Sequence, residues 1–494
     1  MDYLSLLPPL VTIILAIWTK HIIISLFFGI WLGSTILSGW NPILGFFGIF
    51  SKYLIPSVGT PWNATVLIYG AAFGGLLAIL QKNGGANAFG RIFEKHSSTR
   101  RKAELYTFFF GIFIFLDDYF NCLTLGTVMR PICDKVKVAR EKLAFIVDST
   151  AAPVCLLVPV STWVVYVVGL IEKELQGSSQ NSLSIYLKTI PLNFYSIITL
   201  VGTFIIIMSR WSFGPMKKSE IESLEIKQKE CEDKDCTEKS NLSSFLIPIV
   251  ILLTILPLML LYTGGYWNSE KSLLDAIGTS QGAFSILISA ITAGIVAIFL
   301  GIVQGHFNLI KGVDYYLQGM KNMYMTALIL IFAWSIGQLI KELGTATYLS
   351  SFISENFNVN FIPSILFLIA CGISFTTGTS YGTFAILIPF AIPMAIQFGI
   401  PVEYCVAAVL SGGIFGDHSS PISDTTILAA SSSDCDLIEH FSTQLPYALL
   451  FAFAAGIGFL ILGFFQNILV SIGSAIIIFI VCGFLCQKFY GKKS

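Results

Sequence analysis

The stretch YCVAAVLSGGIFGDHSSPISDTTILAA, from Tyr404 to Ala430, is apolar and long enough to cross a bilayer, yet it is broken at its middle. The break reads Gly416-Asp417-His418-Ser419-Ser420-Pro421-Ile422-Ser423-Asp424-Thr425-Thr426, placing two carboxylates, an imidazole and a row of hydroxyls where lipid-facing sequence carries Leu and Val. A central Asp costs about 2.5–3.5 kcal/mol on membrane-insertion scales, so such residues are not placed there idly. Pro421 removes an N–H and the glycines weaken helix propensity, so the backbone is expected to open here. Opened helices at membrane depth line cavities and bind ions there. The stretch reads as half of a transport site.

The remaining sequence supplies the membrane. Of 494 residues, 55% are hydrophobic and only 12% charged, with mean hydropathy +0.78. Separate apolar runs of about 20 residues indicate a polytopic helical membrane protein rather than a barrel. Formal charge is zero and no basic stripe occurs, which argues against nucleic acid as a partner. The N-terminal MDYLSLLPPL lacks a basic region and a small-residue cleavage site, so no removable signal peptide is expected. Cys122, Cys155, Cys371, Cys405, Cys482 and Cys486 sit singly in apolar runs and read as buried small hydrophobes. Cys231 and Cys236 lack nearby Cys or His partners, so no metal centre and no cofactor is expected.

Candidate spans are 4–18, 22–39, 62–81, 143–170, 188–209, 245–263, 280–303, 322–340, 404–430, 446–466 and 468–486. Basic residues dominate 82–102 (Lys82, Arg91, Lys95, Arg100, Arg101, Lys102) and 130–142 (Arg130, Lys135, Lys137, Arg140, Lys142), so both stretches are expected to be cytoplasmic. Only 103–129 lies between them, where two crossings need about 40 residues. The simplest solution is a re-entrant hairpin with Asp117-Asp118-Tyr119-Phe120-Asn121 at its tip. The apolar stretch 361–400, broken at Thr376–Thr383, reads as a second hairpin entering from the opposite face. Residues 41–58 and 304–320 read as interfacial, and 211–243 as a mobile cytoplasmic linker between a 1–210 half and a 244–494 half with extra helices.

A shift of 262 residues superposes the two unusual regions: Tyr119 on Tyr381, Pro131 on Pro393, Pro159 on Pro421 and Ser161 on Ser423. In the charge-based topology the paired spans run in opposite directions. That is the inverted-repeat pattern of secondary transporters, with the site at the repeat interface near midplane. The fold expected is therefore an all-α polytopic membrane protein of about 11 transmembrane helices plus two re-entrant hairpins, in two inverted-topology repeats with broken helices.

Four polar clusters should converge, the two hairpin tips and the two broken helices. Their oxygens suit a dehydrated Na⁺, a hard cation, with Asp118, Asn121, Asp417, Ser423 and Asp424 as candidate ligands. A carboxylate in a poorly solvated site takes up a proton when its cation leaves, which couples the two fluxes. Asp117 and Asp118 point about 100° apart on a helix, so one is expected to act directly and the other to cap the helix. Asp424 either joins Asp417 on one face or caps the second half-helix. Asp148 is either functional or a solvated end residue near Lys142, and His418 either senses pH or is a satisfied core histidine. Ser149, Thr150, Ser161, Thr377, Thr379, Ser380, Thr383, Ser420, Ser423 and Thr425 either face the site or bond their own helix backbone. No phosphate-binding G-x-x-x-x-G-K loop occurs, and Gly413-Ile414-Phe415-Gly416 departs from the motif of intramembrane aspartyl proteases, so no enzyme is expected.

FLDDYFNCLTLGTVMRPICDK (115–135), EKLAFIVDSTAAPVCLLVPVSTW (141–163) and GGIFGDHSSPISDTTILAASSSDCDLIEHFSTQLPYAL (412–449) resemble the NhaC family of Na⁺/H⁺ antiporters. The resemblance runs from about Pro8 to Phe465 and implies sodium-coupled antiport in the cytoplasmic membrane. Relatives include malate–lactate exchangers of the MleN type and proteins suspected of moving amino acids, so exchange of a small organic acid or amino acid is the alternative. No Arg lies in the four polar clusters, which weakens the case for a bidentate carboxylate clamp, although two oppositely oriented half-helix N-termini could still hold a carboxylate. By analogy with the wider superfamily, a homodimer is implied.

Overall fold

The computed structural model describes residues 3–19, 21–84, 98–175, 181–225, 242–267, 276, 280–344, 358–421 and 423–491. Arg91, Lys95, Cys231, Cys236, Ile422 and linker residues 226–241 lie outside them. Every element assigned among the described residues is helical. Among the described residues, eight helices are long and apolar enough to cross a membrane, or up to eleven if each of three bent pairs counts as one span. The all-α polytopic class expected from the apolar runs is the one observed.

Both anomalous stretches form helical hairpins. Arg100–Phe113 and Asp118–Lys135 are the legs of the first, and Ile362–Thr377 and Ser380–Phe398 those of the second. Asp117 caps its leg by accepting from the Phe120 N–H at 3.0 Å, and Thr379 caps the other by accepting from the Gly382 N–H at 3.3 Å. Gly378, at φ +68°, makes the left-handed turn between the second pair of legs, which a side chain would strain. The first hairpin closes differently: the Asn121 amide donates to the carbonyls of Gly111 (2.7 Å) and Ile114 (2.8 Å), satisfying the orphaned end of the first leg.

Each half also carries a broken helix. Arg140–Leu157 and Thr162–Glu174 meet at a 45° bend, and Val402–Ser419 is followed after a break by Asp424–Ser433. The 262-residue register holds at the level of elements. First hairpin legs begin at Arg100 and Ile362, second legs at Asp118 and Ser380, broken helices at Arg140 and Val402, and their second halves at Thr162 and Asp424. The packing is reciprocal: Thr162–Glu174 lies against Ser380–Phe398, and Asp424–Ser433 against Asp118–Lys135. Glycines permit the closest approach, because a Cβ on Gly412 or Gly416 would strike the backbone of the Ile362–Thr377 leg.

Two expectations need correction. The linker at 211–243 is not wholly mobile, because Pro215–Glu225 is a helix docked on Arg140–Thr150 and Leu437–Phe465. Its anchors are few, which is why no periodicity announced them: Met216 is buried, Phe213 stacks on Tyr447 at 4.3 Å, and Glu220 meets the buried Lys142 ammonium at 3.2 Å. Cys482 and Cys486 are only half-buried, unlike Cys122, Cys155, Cys371 and Cys405.

Candidate functional site

The hairpin tips are tied to the breaks in the helices of their own halves. Thr162 donates its backbone N–H to the Leu116 carbonyl at 2.9 Å and its hydroxyl to Asp117 Oδ2 at 2.8 Å, while the Trp163 indole donates to Asp118 Oδ1 at 3.0 Å. In the other half Ser380 donates to Asp417 Oδ2 at 2.8 Å, and Ser423, across the break, to Asp417 Oδ1 at 2.5 Å. Further bonds join the halves. Tyr119 donates to Asp424 Oδ2 at 2.8 Å, and Tyr166 donates to the Tyr381 carbonyl at 2.7 Å with the two rings stacked at 4.2 Å.

Between them lies a cavity of about 460 Å³ lined by Asp117, Asp118, Asp417 and Asp424, with Tyr119, Trp163 and Tyr381 among its aromatic walls. Among the described residues, no Lys, Arg or His lines it. Among the described residues, the hydrogen-bond donors to these carboxylates are neutral: a backbone N–H, hydroxyls and an indole. Asp118 and Asp417 are each 5% exposed, whereas Asp424 is open to the cavity. Like charges 4 Å apart repel by about 4 kcal/mol at an effective dielectric of 20, so such a group favours cations or protons.

Asp148 stands apart from this cavity, in a second centre that is not solvated. It is fully buried, and its Oδ2 accepts from Gln444 Nε2 at 2.5 Å and lies 3.5 Å from both His440 Nε2 and Thr426 Oγ1. His418 Nε2 lies 2.7 Å from the Asp148 carbonyl, and its Nδ1 lies 3.2 Å from the Tyr195 hydroxyl. His418 is therefore a partnered core histidine, one of its two expected readings. Thr426 links the centres, donating to the Asp417 carbonyl at 3.1 Å.

The candidate residues thus divide. Asp117, Asp118, Thr379, Ser380, Asp417 and Asp424 line the cavity. Ser423 reaches it through Asp417, and Thr425 Oγ1 is 3.1 Å from Ser423 Oγ. Asp424 is the first residue of its helix and Ser423 holds the cap position, so the capping reading of Asp424 does not apply. Ser161 caps Thr162–Glu174 by accepting from Val164 N–H at 3.2 Å. Thr150, Thr377 and Thr383 donate to the carbonyls of Ile146, Ile373 and Thr379, each four residues back on its own chain. Asn121 uses its amide to hold the hairpin end and the Thr150 carbonyl. Ser149 is buried, with no hydrogen-bond partner among the described residues, and Ser420 is buried in the break. Among the described residues no group of three or more His, Cys, Asp or Glu is arranged to hold a metal ion.

Sequence reasoning misses His440 and Gln444, because the apolar run there begins at Pro446 while the helix begins at Leu437. Two polar residues four apart just ahead of an apolar run were the available signal. Trp163 was also missed, although it directly follows the Ser161-Thr162 pair.

Comparison with known proteins bears on this arrangement. A sequence profile of the Na⁺/H⁺ antiporter family matches residues 154–464. An uncharacterized protein of Haemophilus influenzae is 32% identical over 500 residues, covering 98% of this chain and 95% of that one. The Malate-2H(+)/Na(+)-lactate antiporter of Bacillus subtilis is 36% identical over 113 residues, 22% of this chain and 24% of that one. Among solved structures, the Alcanivorax borkumensis YdaH transporter superposes with TM-score 0.57 at 15% identity, covering 86% of this chain and 89% of that one, and so shares the fold.

Proposed function

Because this chain belongs to the Na⁺/H⁺ antiporter family, we propose that it expels Na⁺ in exchange for H⁺ across the cytoplasmic membrane. The family makes it a secondary antiporter of the membrane. The ion identity rests on one observation, the cavity whose four carboxylates have only neutral hydrogen-bond donors among the described residues. Asp118 and Asp417 are the residues at which Na⁺ and H⁺ compete, with the Ser380 and Ser423 hydroxyls as further oxygens. Either occupant removes one negative charge from the group, so the cavity favours being loaded, and one carboxylate serving both couples the fluxes. Residues 1–210 and 244–494 act as oppositely threaded halves that rock about the site, a reading supported by the 262-residue register of their elements.

Everted vesicles carrying an imposed pH gradient test this. Addition of Na⁺ alone is expected to dissipate the gradient; no response to Na⁺ or Li⁺ would remove the reading.

A second reading, coupled exchange of an organic solute, draws on the similarity to the malate–lactate antiporter and on a cavity larger than a bare ion requires. Its signature is a vesicle response that appears only when the solute is supplied with Na⁺.

A further inference from the structure

The size and lining of the carboxylate cavity fit a particular class of solute. At about 460 Å³ it falls in the range of small-molecule sites, about 300–1,000 Å³, and could hold on the order of fifteen waters where a dehydrated Na⁺ displaces few. Among the described residues its charged side chains have one sign, four carboxylates and no cation. An organic acid placed there would face four like-charged side chains and, among the described residues, would lack the guanidinium or ammonium partner that carboxylate recognition uses. A positively charged solute meets both counter-charge and aromatic faces, since Trp163 and Tyr381 stand edge to face at 5.0 Å beside Asp118.

A second cavity of about 980 Å³ adjoins the first, and Met323 lines both. Its walls are mainly aliphatic, with Asp314 and Lys321 as the charged residues among the described lining. The two together offer an anionic, aromatic compartment opening beside an apolar one. We infer that this site takes an organic cation, an amine or guanidinium with an apolar body and no carboxylate of its own, its charged head at Asp118 and Asp417 and its body toward the Met323 side. This rests on the antiporter reading only in taking the carboxylate cavity as the transport site. It replaces an organic acid with a cation as the organic solute.

The test uses the purified full chain in detergent, with cadaverine and agmatine as probes, malate and lactate as controls, and thermal unfolding as the readout. Either amine is expected to raise the unfolding temperature saturably, and Na⁺ to compete with it, while malate and lactate do nothing. Asp118→Asn is expected to weaken amine binding at least about tenfold, the loss of one charge-assisted contact. Should Asp118→Asn fail to fold, Asp417→Asn, at the other carboxylate proposed to hold the charged head, serves the same purpose. Stabilisation by Na⁺ with none by either amine would overturn the inference and leave Na⁺/H⁺ antiport standing. Stabilisation by malate or lactate would overturn it by sign of charge, and amine binding unchanged in both variants would overturn its location. No response to Na⁺ or to the amines would remove the antiport reading as well.

Discussion

Tyr119 donates its hydroxyl to Asp424 Oδ2 at 2.8 Å, joining the tip of the first hairpin to the second broken helix across 305 positions of sequence. Both residues are exposed to the cavity rather than packed, so this bond can break and reform as a solute enters. Tyr119→Phe removes the hydroxyl and keeps the ring. It is expected to cost about 0.5–1.5 kcal/mol, seen as a two- to roughly tenfold change in Na⁺ half-saturation with the fold intact. Vesicle assays over a Na⁺ series check this.

Asp417 receives one hydroxyl from the hairpin leg at Ser380 and one from Ser423 across the break, and in the proposed function it is a carboxylate over which Na⁺ and H⁺ compete. Asp417→Asn preserves shape and leaves no titratable group at that position. Coupled exchange is expected to fall to background while the protein still reaches the membrane at wild-type level. Asp424→Asn, farther out in the cavity, is likewise expected to abolish coupled exchange. Retained wild-type flux in either variant would reject that residue's assignment.

Gln444 donates to Asp148 Oδ2 at 2.5 Å and to the His418 carbonyl at 2.6 Å, bridging the two broken helices from a third. Gln444→Leu orphans buried acceptors, each worth about 1–3 kcal/mol, so a loss on the order of 2–4 kcal/mol is expected. Thermal unfolding in detergent measures it. Gln444→Glu, which adds a carboxylate beside a buried one, should be worse still.

Lys142 is buried, and its ammonium finds Glu220 on the docked helix Pro215–Glu225. Glu220→Gln leaves that charge without its anion and is expected to release the helix, seen as faster proteolysis between Pro215 and Glu225. Lys142→Met combined with Glu220→Leu replaces the pair by apolar groups and is expected to restore protection.

Much of this architecture is legible in one sequence because membrane burial makes polar residues expensive. Asp117, Asp118, Asp417 and Asp424 stand out against apolar surroundings, and the structure places all four on one cavity. The 262-residue repeat was readable from four identities, and the helix starts keep the same spacing. What stayed hidden depends on tertiary contact. Nothing local says that Asp148 faces His440 and Gln444 rather than Asp417, since that choice is made by how Leu437–Phe465 packs. The docked helix at Pro215–Glu225 escaped for the same reason: its sequence is that of a solvated segment, and a buried lysine on another helix fixes it.

Competition of Na⁺ and H⁺ for the cavity carboxylates is tested most directly by Na⁺ binding to the purified chain between about pH 6 and pH 8, with proton release recorded in the same titration. Competition requires the apparent Na⁺ affinity to fall toward about tenfold per pH unit as pH is lowered, with protons released on binding, and both effects to vanish in Asp417→Asn. A Na⁺ affinity independent of pH, or one unchanged in Asp417→Asn, would contradict it.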